Sequence, residues 1–142
     1  MEERIREQKD FMVKETKELT LNEYQERAMA TCLPSCDNFS YMMLNLVGEV
    51  GELAGKVAKA VRKEDLQIGA GEYGNELYQT YLTRGEEKEI IDDLKSEAGD
   101  ILWQLAGLCK VMGWDFNDVG QSNLDKLANR KKEGTIITHT DH

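Results

Sequence analysis

Hydrophobic residues recur at helical intervals along most of the chain, in four stretches separated by polar or glycine-containing segments. Thr20 and Glu23 have the spacing of a capping box at the start of the first stretch. Pro34 follows the end of that stretch, and proline cannot continue a helical hydrogen-bond ladder. Asp115 and Asp118 are suitable caps for the last stretch. The pattern predicts helices over residues 21–31, 41–63, 86–112 and from 115 to about 131.

The segment 64–85 interrupts the helical pattern. Its glycines, Gly69, Gly71, Gly74 and Gly85, predict a long connection with room for one turn-rich helical piece, suited to a lid or an assembly arm. Outside the core pattern, residues 1–19 are charge-dense and predict a helical extension, and residues 133–142 predict a disordered tail. The expected fold is therefore all-α, with a four-helix domain over residues 20–132.

Composition narrows the class of function. The chain has 142 residues, enough for one domain, and 18 basic against 27 acidic residues give a formal charge of −9. That charge disfavours an extended nucleic-acid surface because phosphates are repelled, and no apolar run reaches the roughly 18 residues that span a membrane. Three cysteines without an N-terminal signal pattern predict a reduced, cytoplasmic protein. Zinc at Cys32 and Cys36 is disfavoured because the only histidines, His139 and His142, lie in the tail.

One acidic motif occurs on two of the predicted helices. Glu49-Val-Gly-Glu52-Leu and Glu97-Ala-Gly-Asp100-Ile share the pattern acid-x-Gly-acid-aliphatic. Their i, i+3 spacing places both carboxylates of a pair on one helix face, and aliphatic residues beside each pair place it at the border of the core. Each interior glycine costs roughly 1 kcal/mol relative to alanine, which indicates close approach of another helix or a ligand.

Two interpretations of these acids remain open from spacing alone. A charged stripe is commonly a solvated face supported by i, i+4 pairs such as Glu52 with Lys56. Alternatively, antiparallel helices bring four carboxylates together, and their repulsion then requires a cation. Oxygen ligands favour Mg²⁺, with Mn²⁺ as a substitute. Neither helix contains the histidines that a ferritin-like di-iron site or a His-activated nucleophile needs, which leaves metal-activated water as the available chemistry.

The fourth predicted helix carries the opposite charge. Asn123, Lys126 and Arg130 fall on one face, and Leu124 and Leu127 are expected to turn toward the core. Basic residues near a helix end also complement the helix dipole, so their position alone does not establish a binding site. Against a metal-bound polyphosphate, they would neutralise the remaining negative charge.

These segments resemble the MazG-type all-α nucleoside triphosphate pyrophosphohydrolases, relatives of dimeric dUTPases and dCTP pyrophosphatases. The resemblance runs from about residue 21 to 134, and its motifs are Gly-Glu-Val-Gly-Glu-Leu at 48–53, Gly-Asp-Ile-Leu-Trp at 99–103 and Asn-Leu-Asp-Lys-Leu-Ala-Asn-Arg at 123–130. The tandem acidic motif followed by Asn-x-x-Lys-Leu is fairly specific. The segment 64–85 departs from the family pattern because many relatives have a short turn there.

The resemblance implies a homodimer or homotetramer that hydrolyses nucleotides between the α and β phosphates, releasing a nucleoside monophosphate and pyrophosphate. It implies Mg²⁺ at Glu49, Glu52, Glu97 and Asp100. An acid could then position a metal-bound water for attack, and Glu49 or Glu52 is the candidate for this catalytic role. Substrate-binding candidates are Asn123, Lys126, Arg130, Lys56, Tyr24, Gln25 and Trp103. Tyr24 and Trp103 also fit plain core positions. The competing hypothesis is a non-catalytic helical oligomer that acts as an interaction module, with a structural cation or none.

Overall fold

A computed structural model describes residues 17–63, 66–71, 74–79 and 86–134. The expectations for the N-terminal extension and the tail lie mostly outside these residues. The four predicted helices are present and form an all-α core, which confirms the fold class. The elements are α1 (Leu21–Met29), a 3₁₀ turn (Pro34–Cys36), α2 (Phe39–Arg62), β1 (Leu66–Gly71), β2 (Gly74–Gln79), α3 (Glu86–Val111) and α4 (Phe116–Lys132).

Side-chain caps determine where the helices begin. The Thr20 hydroxyl accepts a hydrogen bond from the backbone N–H of Glu23 at 3.1 Å, as the capping-box spacing predicted. Asp115 accepts from the N–H of Asp118 at 2.9 Å and caps α4. The tight connection between α3 and α4 uses Gly113, whose φ of 73° is a left-handed conformation that glycine adopts without strain.

The segment between α2 and α3 contains a β-hairpin, so the expected turn-rich helical piece is wrong. β1 and β2 pair antiparallel, from Leu66 opposite Gln79 to Gly71 opposite Gly74. Apolar and polar residues alternate only briefly in each strand, over Leu66–Gly69 in β1 and around Tyr78 in β2. Such short alternation does not distinguish a strand from an irregular loop. Glycine disfavours a helix and suits a tight chain reversal, which accounts for the observed structure.

The core joins all four helices around Met29, Met42, Ala106, Cys109 and Phe116. The Met42 side chain is fully buried, and a Cβ added at position 107, where glycine stands, would overlap its thioether. Gly107 therefore lets α2 and α3 approach closely, as the sequence predicted for one of its interior glycines.

The first turns of α4 attach the helix to the core, where Phe116 is buried and Val119 packs against the hydrophobic core cluster. Asn22 on α1 donates to Asp115 at 2.7 Å and accepts from the backbone N–H of Asn117 at 2.7 Å. Further along the helix, Leu124 is 60% and Leu127 40% exposed, which contradicts their predicted core position. Helical periodicity identifies an apolar face, but it does not show whether the same chain supplies the covering surface.

None of the described helices is long and apolar enough to cross a membrane.

Candidate functional site

The two acidic pairs meet across the α2–α3 interface. Met42 packs at Gly107 and Lys56 bonds to Asp93, so later residues of α2 meet earlier residues of α3, and the two helices run antiparallel. This arrangement places one carboxylate oxygen each from Glu49, Glu52 and Glu97 within 4.8 Å of one another.

Electrostatic coupling extends to the fourth acid. Burial and the charge of Glu52 raise the pKa of Glu49 most, and the charge of Asp100 raises it further. We refer to Glu49, Glu52, Glu97 and Asp100 as the acidic cluster. The i, i+3 spacing on each helix accounts for the convergence, because both members of a pair leave the helix on the same side.

Burial and the neighbouring negative charges disfavour the ionised form of Glu49. Burial raises the pKa of Glu49 above its ordinary value near 4.5, and the charges of Glu52, Asp100 and Glu97 raise it further. Both effects disfavour the ionised carboxylate. A bound cation would reverse them by supplying the opposite charge.

Two buried oxygens in the cluster fit a metal ion. Oε2 of Glu49 and Oε2 of Glu97 have no hydrogen-bond partner, and Glu97 is only 7% exposed. Buried polar atoms are normally paired, so two unpaired carboxylate oxygens in one cluster indicate a missing positive partner. Because the cluster offers only carboxylate oxygens, its chemistry suits a hard divalent cation. The described residues could therefore hold a metal ion at this position.

Lys56 lies at the edge of the acidic cluster and bridges two acids of α3. Its Nζ is 2.6 Å from Glu97 Oε1 and 2.8 Å from Asp93 Oδ1. The hydrogen bonds to Asp93 and then to Glu97 raise the pKa of Lys56, so the ammonium is charged at neutral pH. The sequence paired Lys56 with Glu52 on its own helix and proposed it for substrate; the structure instead places its ammonium on α3 carboxylates. Asp93 was missed, since nothing in the sequence distinguishes it from neighbouring exposed acids.

Tyr24 is the base-contact candidate that the structure places near the cluster. Its half-buried ring packs against the core, and its pKa is raised by burial and by the charge of Asp100. Tyr24 therefore lies between the core and the acids. This position is compatible with both predictions made for it, a core residue and a wall of the site.

Gln25 and Trp103 have structural hydrogen bonds instead. The Gln25 amide donates to the carbonyls of Ala106 at 3.1 Å and Trp114 at 3.3 Å. The Trp103 indole donates to the Ala28 carbonyl at 3.2 Å and the Thr31 hydroxyl at 3.0 Å. These bonds attach α1 to α3 and to the turn after it. In the structure the Trp103 indole N–H and the Gln25 amide nitrogen therefore serve contacts between helices.

The candidate phosphate-binding residues of α4 lie on its exposed surface. Asn123, Lys126 and Arg130 are all exposed, and the ion pair that the structure gives the acidic cluster is that of Lys56 with Glu97. Asn123 lines an open groove of about 1030 Å³ between α1 and α4, together with Leu21 and Leu124. The structure therefore places the predicted phosphate-binding residues on the exposed surface of α4 and the predicted metal ligands at the α2–α3 interface.

A polar track continues from the acidic cluster toward the start of α2, and sequence patterning alone missed most of it. The Asn45 amide donates to the Tyr41 hydroxyl at 3.4 Å on α2, and Gln104 lies on α3. Gln104 is only 3% exposed, and its Oε1 has no partner. Asn45 and Gln104 are each one helical turn from a cluster acid, a spacing that could have identified them.

Comparison with known proteins assigns the family. The family model described as the MazG nucleotide pyrophosphohydrolase domain matches residues 38–135. The chain belongs to the MazG nucleotide pyrophosphohydrolase family. The matched region contains both acidic pairs and the Asn123–Arg130 segment, so the family resemblance expected from these motifs is confirmed.

A curated relative extends the comparison. The chain is 35% identical over 102 residues to the "Gene 37 protein" of Mycobacterium phage L5, covering 72% of this chain and 74% of that protein. No solved structure gives a significant match. Sequence similarity therefore assigns this chain to the MazG family. The geometry of its site comes from the contacts between α2 and α3.

Glu49→Gln should stabilise the metal-free protein at pH 7. Because the raised pKa means that the folded state binds the Glu49 proton more tightly, stability falls as pH rises from about 4.5 through the folded-state pKa. The amide removes that charge, so we expect a gain in stability at pH 7 that disappears in acid. Chemical denaturation in chelator at several pH values measures it. An equal change for Glu26→Gln, an exposed acid on α1, would contradict burial and repulsion within the cluster as the cause.

Proposed function

We propose that this protein is a Mg²⁺-dependent pyrophosphohydrolase that cleaves nucleoside or deoxynucleoside triphosphates between the α and β phosphates. The products are a nucleoside monophosphate and pyrophosphate. One observation carries the proposal: Glu49, Glu52 and Glu97 converge within 4.8 Å, and the two unpartnered buried oxygens belong to this set. Family membership supports the reaction class, since the matched domain is a nucleotide pyrophosphohydrolase domain.

The proposed metal ligands are the four residues of the acidic cluster, and Mn²⁺ is an acceptable substitute because it prefers the same oxygen donors. When bound, the ion neutralises charge on phosphate oxygens and makes water a better nucleophile. The cluster acids also offer a proton acceptor. Glu49 or Glu52 is the proposed acceptor, because both carboxylates belong to the set that would hold the ion and its water.

The proposed substrate contacts divide by chemistry. Asn123, Lys126 and Arg130 are suited to phosphate oxygens, which amide, ammonium and guanidinium groups bind well. Tyr24 is the candidate for contact with the nucleotide base, since its half-buried ring packs against the core and its pKa is raised by burial and by the charge of Asp100. Because the α4 residues lie on an exposed surface and the acids lie at the α2–α3 interface, a second copy of the chain is the simplest source of phosphate-binding groups for each acidic cluster.

A second copy also accounts for the outer face of α2. That face is opposite the core and consists of apolar or small residues; Leu44 is 75% and Val47 66% exposed. A Cβ at Gly51 or Gly55 would meet nothing within 4 Å, so another helix has room to approach there. We therefore propose a homodimer or homotetramer in which this face is covered.

Light scattering should give a mass that is two or four times 16.2 kDa at micromolar concentration. Leu44→Glu should lower that mass, because a carboxylate in a helix interface loses its hydration without a partner. Arg27→Glu, which reverses a charge on the exposed surface of α1, is the matched control and should leave the mass unchanged. A wild-type mass of 16.2 kDa would contradict the assembly.

The reaction is tested with a panel of nucleoside and deoxynucleoside triphosphates, in Mg²⁺ or chelator, with separate assays for pyrophosphate and orthophosphate. We expect pyrophosphate release that requires Mg²⁺ and is lost in Glu52→Ala, because removal of a ligand carboxylate weakens ion binding. The order of rates across the panel identifies the preferred base and sugar. Orthophosphate release would contradict cleavage between the α and β phosphates.

The alternative is a non-catalytic helical oligomer. It predicts no turnover of any nucleotide, and it predicts that Glu52→Ala leaves the thermal response to Mg²⁺ unchanged when no ion binds. If the cation were structural and the protein did not catalyse, Mg²⁺ would stabilise the protein and no product would form.

A further inference from the structure

We propose that the Lys56 ammonium serves as an internal counter-cation of the acidic cluster while no divalent ion is bound, and that Asp93 retains it when the ion enters. The inference rests on the proposed function, because it assumes that a divalent cation binds at these acids. It assigns roles to two residues outside the four proposed ligands. Lys56 and Asp93 would act through Glu97 and are positioning residues.

The geometry shows a lysine shared between one buried and one exposed acid. Lys56 Nζ is 2.6 Å from Oε1 of Glu97, whose side chain is 9% exposed, and 2.8 Å from Oδ1 of Asp93, whose side chain is 54% exposed. Asp93 and Glu97 are one helical turn apart on α3, so a small movement of the flexible lysine exchanges one partner for the other. Oε2 of Glu97 has no partner, so the ammonium leaves one oxygen of this acid for an ion.

Charge balance gives the reason for an exchange. The acidic cluster carries four carboxylates, and the contacts of the described residues bring it one positive charge, that of Lys56. When a divalent ion binds, the same ammonium becomes a like charge beside it, and repulsion favours its withdrawal. Asp93 provides a carboxylate outside the cluster, so the lysine need not give up all of its ion pairing. Metal binding is then a competition between two cations for Glu97.

This competition predicts opposite effects for the two partners. Lys56→Gln removes the competitor and should tighten Mn²⁺ binding by about fivefold, the equivalent of roughly one weak ion pair. Asp93→Asn removes the carboxylate outside the cluster to which Lys56 could move. It should weaken Mn²⁺ binding by a similar factor, because the lysine then stays on Glu97. Lys56→Arg keeps the charge and should restore an affinity close to that of the wild type.

The experiment is a calorimetric titration of the purified, chelator-treated full chain with Mn²⁺ alone, without nucleotide. Lys59→Gln and Asp92→Asn are matched controls. They remove the same charges from neighbouring exposed positions that take no part in the ion pairs of Lys56 with Asp93 and Glu97. Circular dichroism establishes that each variant is folded. The expected result is tighter binding for Lys56→Gln and weaker binding for Asp93→Asn, each measured relative to its own control.

Other outcomes would overturn the inference in distinguishable ways. Weaker binding in both variants would mean that Lys56 orients Glu97 and does not compete with the ion. Affinities equal to those of the controls would mean that Lys56 forms an ordinary surface ion pair. If the wild type binds no Mn²⁺, the proposed function fails and this inference fails with it, whereas the first two results leave the proposed function intact.

Discussion

Glu97→Gln is expected to lower the rate of nucleotide hydrolysis by about 100-fold or more at saturating Mg²⁺. Glu97 is the most buried acid of the acidic cluster, and its Oε2 has no protein partner. Glutamine has nearly the same shape but no negative charge, so the substitution removes one of the charges that would balance the ion and leaves a buried amide in its place. Steady-state kinetics with pyrophosphate detection measure the loss, together with Mn²⁺ affinity.

Glu89→Gln is the matched control for this prediction. Glu89 lies two turns earlier on α3 and is exposed, so its substitution removes the same charge from the same helix away from the cluster. We expect it to retain activity close to that of the wild type. A Glu97→Gln protein that is folded and fully active would remove Glu97 from the proposed site, whatever the outcome for the other three acids.

Met42→Ala is expected to destabilise the protein by about 2–5 kcal/mol, the usual cost of truncating a fully buried methionine. Met42 is 0% exposed and lies against α3 where Gly107 leaves space for it. The cavity would open the interface that holds both acidic pairs in register. Urea denaturation in chelator measures the change, and the same variant should also bind Mn²⁺ more weakly.

The neighbouring Met43 provides the control because it is 36% exposed. Met43→Ala should change stability by only about 0.5 kcal/mol. A second check uses the contact itself: Gly107→Ala should be better tolerated in the Met42→Ala background than alone, because the added methyl group then occupies the vacated space. Independent effects of the two substitutions would contradict close packing of Met42 against Gly107.

Much of the site could be predicted from the sequence because its geometry is local to each helix. The spacing of Glu49 to Glu52 and of Glu97 to Asp100 determines which side of each helix carries the acids, whatever the helix packs against. The caps at Thr20 and Asp115 are likewise local, since each side chain bonds to a backbone N–H within the next turn.

Two features could not be predicted from the sequence: a short hairpin and the hydrogen bonds of particular side chains. The hairpin of β1 and β2 was missed because two six-residue strands that contain glycine have a weak periodic signal. Gln25 and Trp103 were considered for a base because they are polar or aromatic near the motifs. Only the fold shows that their donors bond to carbonyl and hydroxyl groups of α1, α3 and the following turn.

The sequence by itself determined the all-α fold, the family and the two carboxylate pairs, because helical periodicity and motif spacing are properties of single segments. Tertiary structure decided what those segments face. It brought the pairs together across antiparallel helices, left two of their oxygens buried without partners, placed Lys56 between Asp93 and Glu97, and turned Leu124 and Leu127 outward. Each of these results depends on the distance between residues far apart in the chain, which side-chain chemistry and periodicity do not specify.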